Sequence, residues 1–222
     1  MTQKNGTVRA PWVTLVDPAL PAPQFERLLK GIKSLGRERL RDSYQTTFWF
    51  DFSTPPGSLV EAAAVHLRRH IPEERQRSVI GVEWWLSRMR TSNVKVDFHH
   101  DRDNAVFDRT GREVLPRLST VFYLNRCRGG LLAVTKEKLN PRNPACAPDF
   151  HDFDFVAPGP NRFAFFDAKM AHGVLDAKNQ IPGQRLKTEP GWRLAIAINF
   201  WHRRPEGVPT FAQSPHYRAL SV

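Results

Sequence analysis

The hydrophobic pattern of the chain predicts helices in the first third and strands afterwards. Residues 1–20 show no regular period and are predicted to be irregular. Residues 44–52 are aromatic and β-branched, which is typical of a strand. Two amphipathic helices are predicted from apolar residues at helical spacing: Phe25, Leu28, Leu29 and Ile32, in a helix ending near Gly36, and Val60, Ala63, Ala64, Leu67 and Ile71.

From Val79 onward the pattern changes to that of a β protein. Turn residues such as Pro158-Gly159-Pro160 separate runs that alternate or are rich in β-branched and aromatic residues. About seven strands are predicted there, at residues 79–90, 93–101, 118–125, 131–135, 153–156, 162–166 and 192–201. Helices followed by strands predict a mainly β fold, in which N-terminal helices buttress an antiparallel, double-layered barrel.

Two of these strands have faces of different character. In residues 93–101, Val94, Val96 and Phe98 are predicted on one face, with Lys95, Asp97, His99 and Asp101 on the other. In residues 192–201, an apolar face of Leu194, Ile196, Ile198 and Phe200 opposes Arg193, Ala195, Ala197 and Asn199. Small alanines beside an inward arginine leave room for a ligand that carries a carboxylate, which a guanidinium binds bidentately.

A possible metal site is indicated by His99, Asp101 and the distant His172. Two imidazoles and one carboxylate are the facial ligand set of non-heme Fe(II) oxygenases. His99 and Asp101 are two residues apart, so in an extended segment their side chains point to the same face. His172 must then come from another strand, which a barrel can bring close. The adjacent His100 is predicted to point the other way.

Other residues that could bind metal carry less information. His66 and His70 are four apart on the second helix, but Leu67 stands where a helical zinc hydrolase needs glutamate, so we interpret both histidines as surface residues. Cys127 and Cys146 lack Cys-x-x-Cys spacing and form no disulfide framework.

Length, composition and net charge limit the domain number, the location and the partners that can be expected. The 222 residues, 41% of them hydrophobic, predict one domain over 1–222. No apolar signal segment and no membrane-spanning run is present, which predicts a cytoplasmic protein. The net charge of +11 favours acidic partners, nucleic acid or an acidic peptide among them, without indicating any chemistry.

Residues 79–201 resemble the double-stranded β-helix (jelly-roll, cupin-like) core of the Fe(II)/2-oxoglutarate-dependent dioxygenases, in the prolyl-hydroxylase-like branch. The resemblance is carried by the strand 118–125 with its Tyr-Leu-Asn end, by Gly129-Gly130-Leu-Leu, and by the run 161–167 into His172-Gly-Val. It implies that His99, Asp101 and His172 bind Fe(II), which leaves positions for 2-oxoglutarate and O₂. It also implies that Arg193, helped by Tyr123, binds the distal carboxylate of 2-oxoglutarate.

The function implied by this resemblance is hydroxylation of an amino-acid side chain, free or in a peptide, protein or natural-product precursor. Asp101 favours hydroxylation over halogenation, since the related halogenases replace this carboxylate with a small residue. One alternative is oxidative demethylation of nucleic acid. That branch places a second arginine six residues after the cofactor arginine, where this chain has Asn199. The other alternative is a non-enzymatic binding barrel, against which the intact residue set argues.

Two regions depart from the family that the chain resembles. Residues 1–78, predicted as N-terminal helices and a first strand, match nothing in it, and residues 202–222 are predicted as a C-terminal tail. The gap between His172 and Arg193 is longer than the spacing typical of the branch. Its polar segment, residues 176–191, is predicted to be a lid that orders over a small-molecule or peptide substrate and recognises an acidic or polar group.

Overall fold

The structure, a computed structural model, describes residues 11–41, 46–90, 96–136, 153–175 and 191–222. These residues include five α-helices: α1 (Ala22–Ser34), α2 (Gly36–Arg41), α3 (Leu59–Leu67), α4 (Glu73–Gln76) and α5 (Asn104–Thr110). Short 3-10 segments occupy Arg68–His70, Phe211–Gln213 and Arg218–Leu220. The strands are β1 (Thr14–Val16), β2 (Phe48–Asp51), β3 (Gly81–Arg90), β4 (Val96–His99), β5 (Leu118–Tyr123), β6 (Leu132–Thr135), β7 (Phe153–Val156), β8 (Arg162–Asp167), β9 (Ala171–Val174) and β10 (Trp192–Trp201).

Two antiparallel sheets form the body of the protein. The larger sheet has six strands in the order β1-β8-β5-β10-β3-β2, and the smaller has four in the order β4-β9-β6-β7. The longest pairing joins all of β10 to all of β3, from Trp192 opposite Arg90 to Trp201 opposite Gly81. The sequence prediction of a mainly β, double-layered fold is therefore confirmed, and the last strand has the predicted bounds.

The helices cover one face of the six-stranded sheet. Helix α3 begins at a capping box, in which the Ser58 hydroxyl accepts from the Glu61 amide and the Glu61 carboxylate accepts from the Ser58 amide. The predicted apolar faces of α1 and α3 are buried against the sheet in one core. That core includes Leu28, Ile32, Ala63, Leu67, Phe48, Trp84, Ile196 and Ile198. N-terminal helices thus buttress the sheet, as predicted.

The opposite face of the six-stranded sheet faces the four-stranded sheet. Side chains of both sheets meet in a second core of Tyr123, Ala164, Phe166, Ala195, Leu132, Val134 and Val156. The alternation predicted for β10 is confirmed, because Leu194 and Ile196 belong to the core on the helix side. Arg193, Ala195 and Ala197 line a cavity between the sheets. The space between the two layers is therefore where a ligand would bind.

Several elements differ from the sequence prediction: α2 and α4 were not predicted, and β1, α5 and β9 differ as well. Residues 1–20 were expected to be irregular, which is wrong for β1, an edge strand paired with β8. Helix α5 was not predicted, although Asp103 caps it by accepting from the Val106 amide. His172 was expected after a strand and lies instead within β9. Elements β1, α5 and β9 have three, seven and four residues, so none is long enough to display a hydrophobic period.

The alternation predicted for residues 93–101 is also corrected. Val96 pairs with Val174 and His99 with His172, so β4 carries three steps where β9 carries two. This register shift is a β-bulge, and it turns both Val96 and His99 toward the cavity. The sequence had placed them on opposite faces.

Some predictions concern regions that the structure does not test. The predicted lid at residues 176–191 lies outside the described residues except for Gly191, as does Cys146. Division of the chain at residues 78 and 201 stays a prediction, as does a cytoplasmic location. None of the helices in the described part combines the length and apolar character that crossing a bilayer requires.

Candidate metal centre and adjoining cavity

The three predicted metal ligands meet at one end of the small sheet. His99 at the end of β4 stands directly opposite His172 on β9, and their ring centroids are 4.4 Å apart. Gly173 permits this close pairing, because a Cβ there would lie 2.7 Å from the carbonyl oxygen of Val96. Asp101 follows β4 and reaches both histidines. One ligand atom from each of the three lies within 4.8 Å of the others.

The distances in this cluster fit a shared metal ion. Nε2 of His172 is 3.3 Å from Oδ2 of Asp101, and Nε2 of His99 is 3.6 Å from Oδ1. Donor atoms about 2.1 Å from a metal and at right angles to each other lie about 3 Å apart. Within the described part of the chain, His99, Asp101 and His172 are the histidine, cysteine or acidic residues that lie close enough together to hold one metal ion. Two imidazoles and a carboxylate match the ligands of non-heme Fe(II).

The electrostatics of the cluster keep Asp101 ionised. Burial by itself would raise the pKa of this carboxyl group. His172 and His99 oppose that effect by charge and hydrogen bonding, and they hold the pKa of Asp101 well below its usual range. Metal ligands must be deprotonated, so this carboxylate is ready to bind a cation at neutral pH.

Arg193 lies in the same cavity, on β10, with only 3% of its surface exposed. Its Nη1 donates to the Ser87 hydroxyl at 3.3 Å, while Nε has no hydrogen-bond partner among the described residues. No carboxylate in the described part of the chain forms an ion pair with this guanidinium. A buried charge without an ion-pair partner is costly, and an anionic ligand would offset that cost.

Two neighbours shape the arginine site. The Tyr123 ring centroid is 5.2 Å from the guanidinium carbon of Arg193. Burial raises the pKa of Tyr123 although the guanidinium opposes the rise, and its buried hydroxyl has no partner among the described residues. Gly130 packs on the arginine stem, because a Cβ there would lie 2.8 Å from Cδ of Arg193. The site thus offers a guanidinium and a phenol to one anionic ligand.

Solved structures share the arrangement of strands and helices described above. A Pseudomonas putida prolyl-4-hydroxylase aligns with a TM-score of 0.51 and 17% sequence identity, over 87% of this chain and 94% of that one. A Trichoplax adhaerens prolyl hydroxylase, solved with a peptide fragment of the hypoxia-inducible factor oxygen degradation domain, aligns with a TM-score of 0.50 and 12% identity, over 86% and 84%. The chain has the prolyl-hydroxylase fold.

The prolyl-hydroxylase fold is a double-stranded β-helix, so the predicted fold class is confirmed. The likeness is one of structure: no family model matches the sequence, and no curated protein matches it. At these identities the comparison establishes the fold alone. The roles of His99, Asp101, His172, Arg193 and Tyr123 therefore rest on their positions in this chain.

Within this fold, Asp103 anchors the segment that carries Asp101. The Asp103 side chain is fully buried, and it caps α5 through the Val106 amide. Its Oδ2 also accepts from Nη2 of Arg203 at 2.5 Å and from the Glu206 amide at 3.1 Å. One carboxylate thus ties the start of α5 to the segment after β10. The sequence analysis missed this residue, although an aspartate before a helix is an N-cap signal.

We predict that Asp103→Ala lowers the free energy of unfolding by about 1–3 kcal/mol, because it removes a helix cap and a buried hydrogen-bond acceptor. Chemical denaturation of the metal-free protein would measure the loss. Asp108→Ala is the matched control, since Asp108 is an exposed carboxylate on the same helix. Equal stability of the two variants would show that the Asp103 network does not hold this segment.

The remaining candidate residues lie away from the cluster. Nε2 of His70 is 2.7 Å from the Ala19 carbonyl oxygen, and the His66 and His70 rings are 5.8 Å apart without an acidic neighbour at metal-binding spacing among the described residues. His100 is next to His99, but its Nδ1 lies 3.9 Å from Glu113. Cys127 is a free thiol. The structure therefore brings together the predicted triad and leaves the rival residues out.

Proposed function

We propose that the protein is an Fe(II)- and 2-oxoglutarate-dependent oxygenase that hydroxylates an amino-acid side chain, free or within a peptide, protein or natural-product precursor. One observation carries the proposal: the buried, unpaired Arg193 lines the same cavity as His99, Asp101 and His172. A metal cluster and an anion-binding arginine in one cavity fit a metal-chelating dicarboxylate such as 2-oxoglutarate.

Each residue of the cavity has a role in this proposal. His99, Asp101 and His172 would bind Fe(II) on one face of its coordination sphere. The other positions would stay open for 2-oxoglutarate and O₂. When bound, the iron supplies O₂ activation coupled to the conversion of 2-oxoglutarate to succinate and CO₂. Arg193 would bind the distal carboxylate bidentately, with Tyr123 donating a further hydrogen bond.

The walls of the cavity support the same ligand. Ala195 and Ala197 are the small residues on β10 between Arg193 and Asn199, and they leave space over the sheet. Leu132 and Phe166 line the cavity with apolar surface. Such walls exclude water and strengthen the interaction between a guanidinium and a carboxylate.

The proposal predicts that the iron-loaded protein converts 2-oxoglutarate to succinate. The reaction is measured by succinate release, first without a substrate and then with pools of amino acids, peptides and small metabolites. A substrate is recognised by a higher rate and by a mass gain of one oxygen atom. His172→Ala provides the control for iron that is not bound at the site. Absence of both 2-oxoglutarate binding and succinate release in the iron-loaded wild-type protein would contradict the proposal.

A further inference from the structure

A second cleft adjoins the metal cluster, and Arg193 is not among the residues that line it. His99 and Asp101 line both this cleft and the arginine cavity. Arg193 and Asn199 lie six residues apart on the inward face of β10, which is roughly 20 Å of extended strand. Asn199 lines the second cleft together with Glu83, Thr47 and Asn104. The cluster therefore borders two clefts, and the proposed 2-oxoglutarate site uses only one of them.

Glu83 is the unexplained acidic group in this cleft. It stands on β3 directly opposite Asn199 of β10, on the inward face of the sheet. Burial raises the pKa of Glu83 to about 8, the carboxylates of Asp101 and Asp103 add to the rise, and the Trp201 indole opposes it. Among the described residues no lysine or arginine forms an ion pair with Glu83. With this pKa the carboxyl group is mostly protonated in the empty cleft at neutral pH, and a cation that enters the cleft would favour its ionised form.

The comparison with Glu61 makes the contrast clear. Glu61 is also buried, but its carboxylate accepts from the Gly57 and Ser58 amides and caps α3. That hydrogen bonding explains why a buried glutamate is tolerated there. Glu83 lies within a strand and caps no helix. Neither a helix cap nor an ion pair among the described residues therefore accounts for the burial of Glu83.

The basic groups at this cleft are engaged elsewhere. The Arg102 guanidinium stacks on the Phe107 ring at 3.3 Å and lies 3.4 Å from Glu113. Nδ1 of His100 is 3.9 Å from the same glutamate. Glu113 thus lies beside both side chains, and neither of them forms an ion pair with Glu83. The Glu83 carboxyl group therefore stays available to a cationic group of a ligand.

Asn199 adds a hydrogen-bond donor to this arrangement. Its Oδ1 accepts from the Thr120 amide at 3.4 Å, which orients the side-chain amide. Its Nδ2 is buried and has no hydrogen-bond partner among the described residues, while the residue as a whole is 1% exposed. Buried amides are normally paired, so this donor indicates a ligand atom that accepts a hydrogen bond. The Glu83 carboxyl group and this amide N–H belong to paired residues of neighbouring strands and line the same cleft.

We propose that this cleft binds the substrate and that Glu83 pairs with a cationic group of it, an ammonium or a guanidinium, while Asn199 donates to a neighbouring oxygen atom. The inference rests on the proposed oxygenase function and names its substrate class: an amine- or guanidine-bearing amino acid, peptide side chain or small molecule. The net charge of +11 had suggested an acidic partner. Recognition beside the metal depends instead on the local charges, and these favour a cation.

The experiment uses the iron-loaded protein with 2-oxoglutarate and a matched panel of probes. The probes are lysine, arginine, norleucine and glutamate, each as the free amino acid and as the N-acetylated amide, so that the side-chain charge is varied separately from the backbone charge. Succinate release above the rate without probe is measured for each. We expect the cationic side chains to stimulate the reaction about 10-fold or more over norleucine, the value of a charge-assisted hydrogen bond.

Two variants test whether this preference for cationic probes arises in the cleft. Glu83→Gln keeps the shape of the side chain and removes the group that ionises beside a cation, so it should lose about 10- to 100-fold in kcat/KM for the cationic probes. Glu74→Gln removes the same charge from an exposed position on α4 and should retain the preference. Metal content and 2-oxoglutarate affinity, measured for both, report whether the centre is still assembled.

The outcomes distinguish the inference from the function on which it rests. Stimulation by neutral or anionic probes alone, by all probes equally or by none would overturn a cationic substrate, as would an unchanged preference in Glu83→Gln. If wild-type protein neither binds 2-oxoglutarate nor releases succinate under any condition, the proposed function itself fails. Succinate release with the wrong probe preference leaves the oxygenase intact and removes only the role of Glu83.

Discussion

Replacing His172 with alanine is expected to lower Fe(II) affinity more than about 100-fold and to abolish succinate release. Loss of a hydrogen-bond partner of a metal ligand already costs about 10- to 100-fold, so loss of the ligand itself costs more. The same result is expected for His99→Ala and Asp101→Ala, because the three ligand atoms lie within 4.8 Å of one another. Titration of anaerobic protein with Fe(II), followed by competition with a chelator, measures the affinity.

His100→Ala is the control for this prediction. His100 is adjacent to His99 in the chain, but its ring faces Glu113 and does not belong to the cluster. This variant should therefore bind Fe(II) with close to wild-type affinity. If His100→Ala lost the metal and His99→Ala retained it, the assignment of the adjacent histidines would be reversed. Circular dichroism spectra of all the variants would separate loss of the site from loss of the fold.

The sequence predicted those elements that are long enough to show a regular hydrophobic repeat and that bury one face. Strand β10 has ten residues, and its strict alternation gave both its bounds and the face that carries Arg193. The faces of α1 and α3 could be predicted for the same reason, since one stripe of each helix is buried. The bulge in β4 could not, because the extra residue is defined only by its pairing with β9.

The site was predictable where ligand chemistry limits the choice of residue. The sequence singled out His99, Asp101 and His172 because two imidazoles and a carboxylate are a known metal-ligand set, and the structure brings the three side chains together. Glu83 had no such signal, because a glutamate in an alternating strand is usually exposed to solvent. Its inward orientation follows from which face of the six-stranded sheet the helices cover. That choice depends on the topology of the whole chain.

Replacing Arg193 with alanine is expected to weaken 2-oxoglutarate binding roughly 30-fold or more, because truncating one partner of a buried charge pair costs about 2–5 kcal/mol. Tyr123→Phe removes one hydroxyl and should cost about 0.5–1.5 kcal/mol, less than roughly 15-fold. Arg193→Lys keeps the charge but loses the planar donor pair, so its affinity should fall between wild type and Arg193→Ala. Calorimetric titration of the metal-loaded protein with 2-oxoglutarate gives the three dissociation constants.

The order of these affinities tests the role of Arg193 separately from the metal. Arg193 does not belong to the group of possible metal ligands, and its stem packs on Gly130, so Fe(II) affinity should be unchanged in Arg193→Ala. Succinate, which retains the distal carboxylate of 2-oxoglutarate, should lose affinity by a similar factor in this variant. If 2-oxoglutarate bound equally well to wild type and Arg193→Ala, the buried guanidinium would serve another anion, and the proposed co-substrate would have to be abandoned.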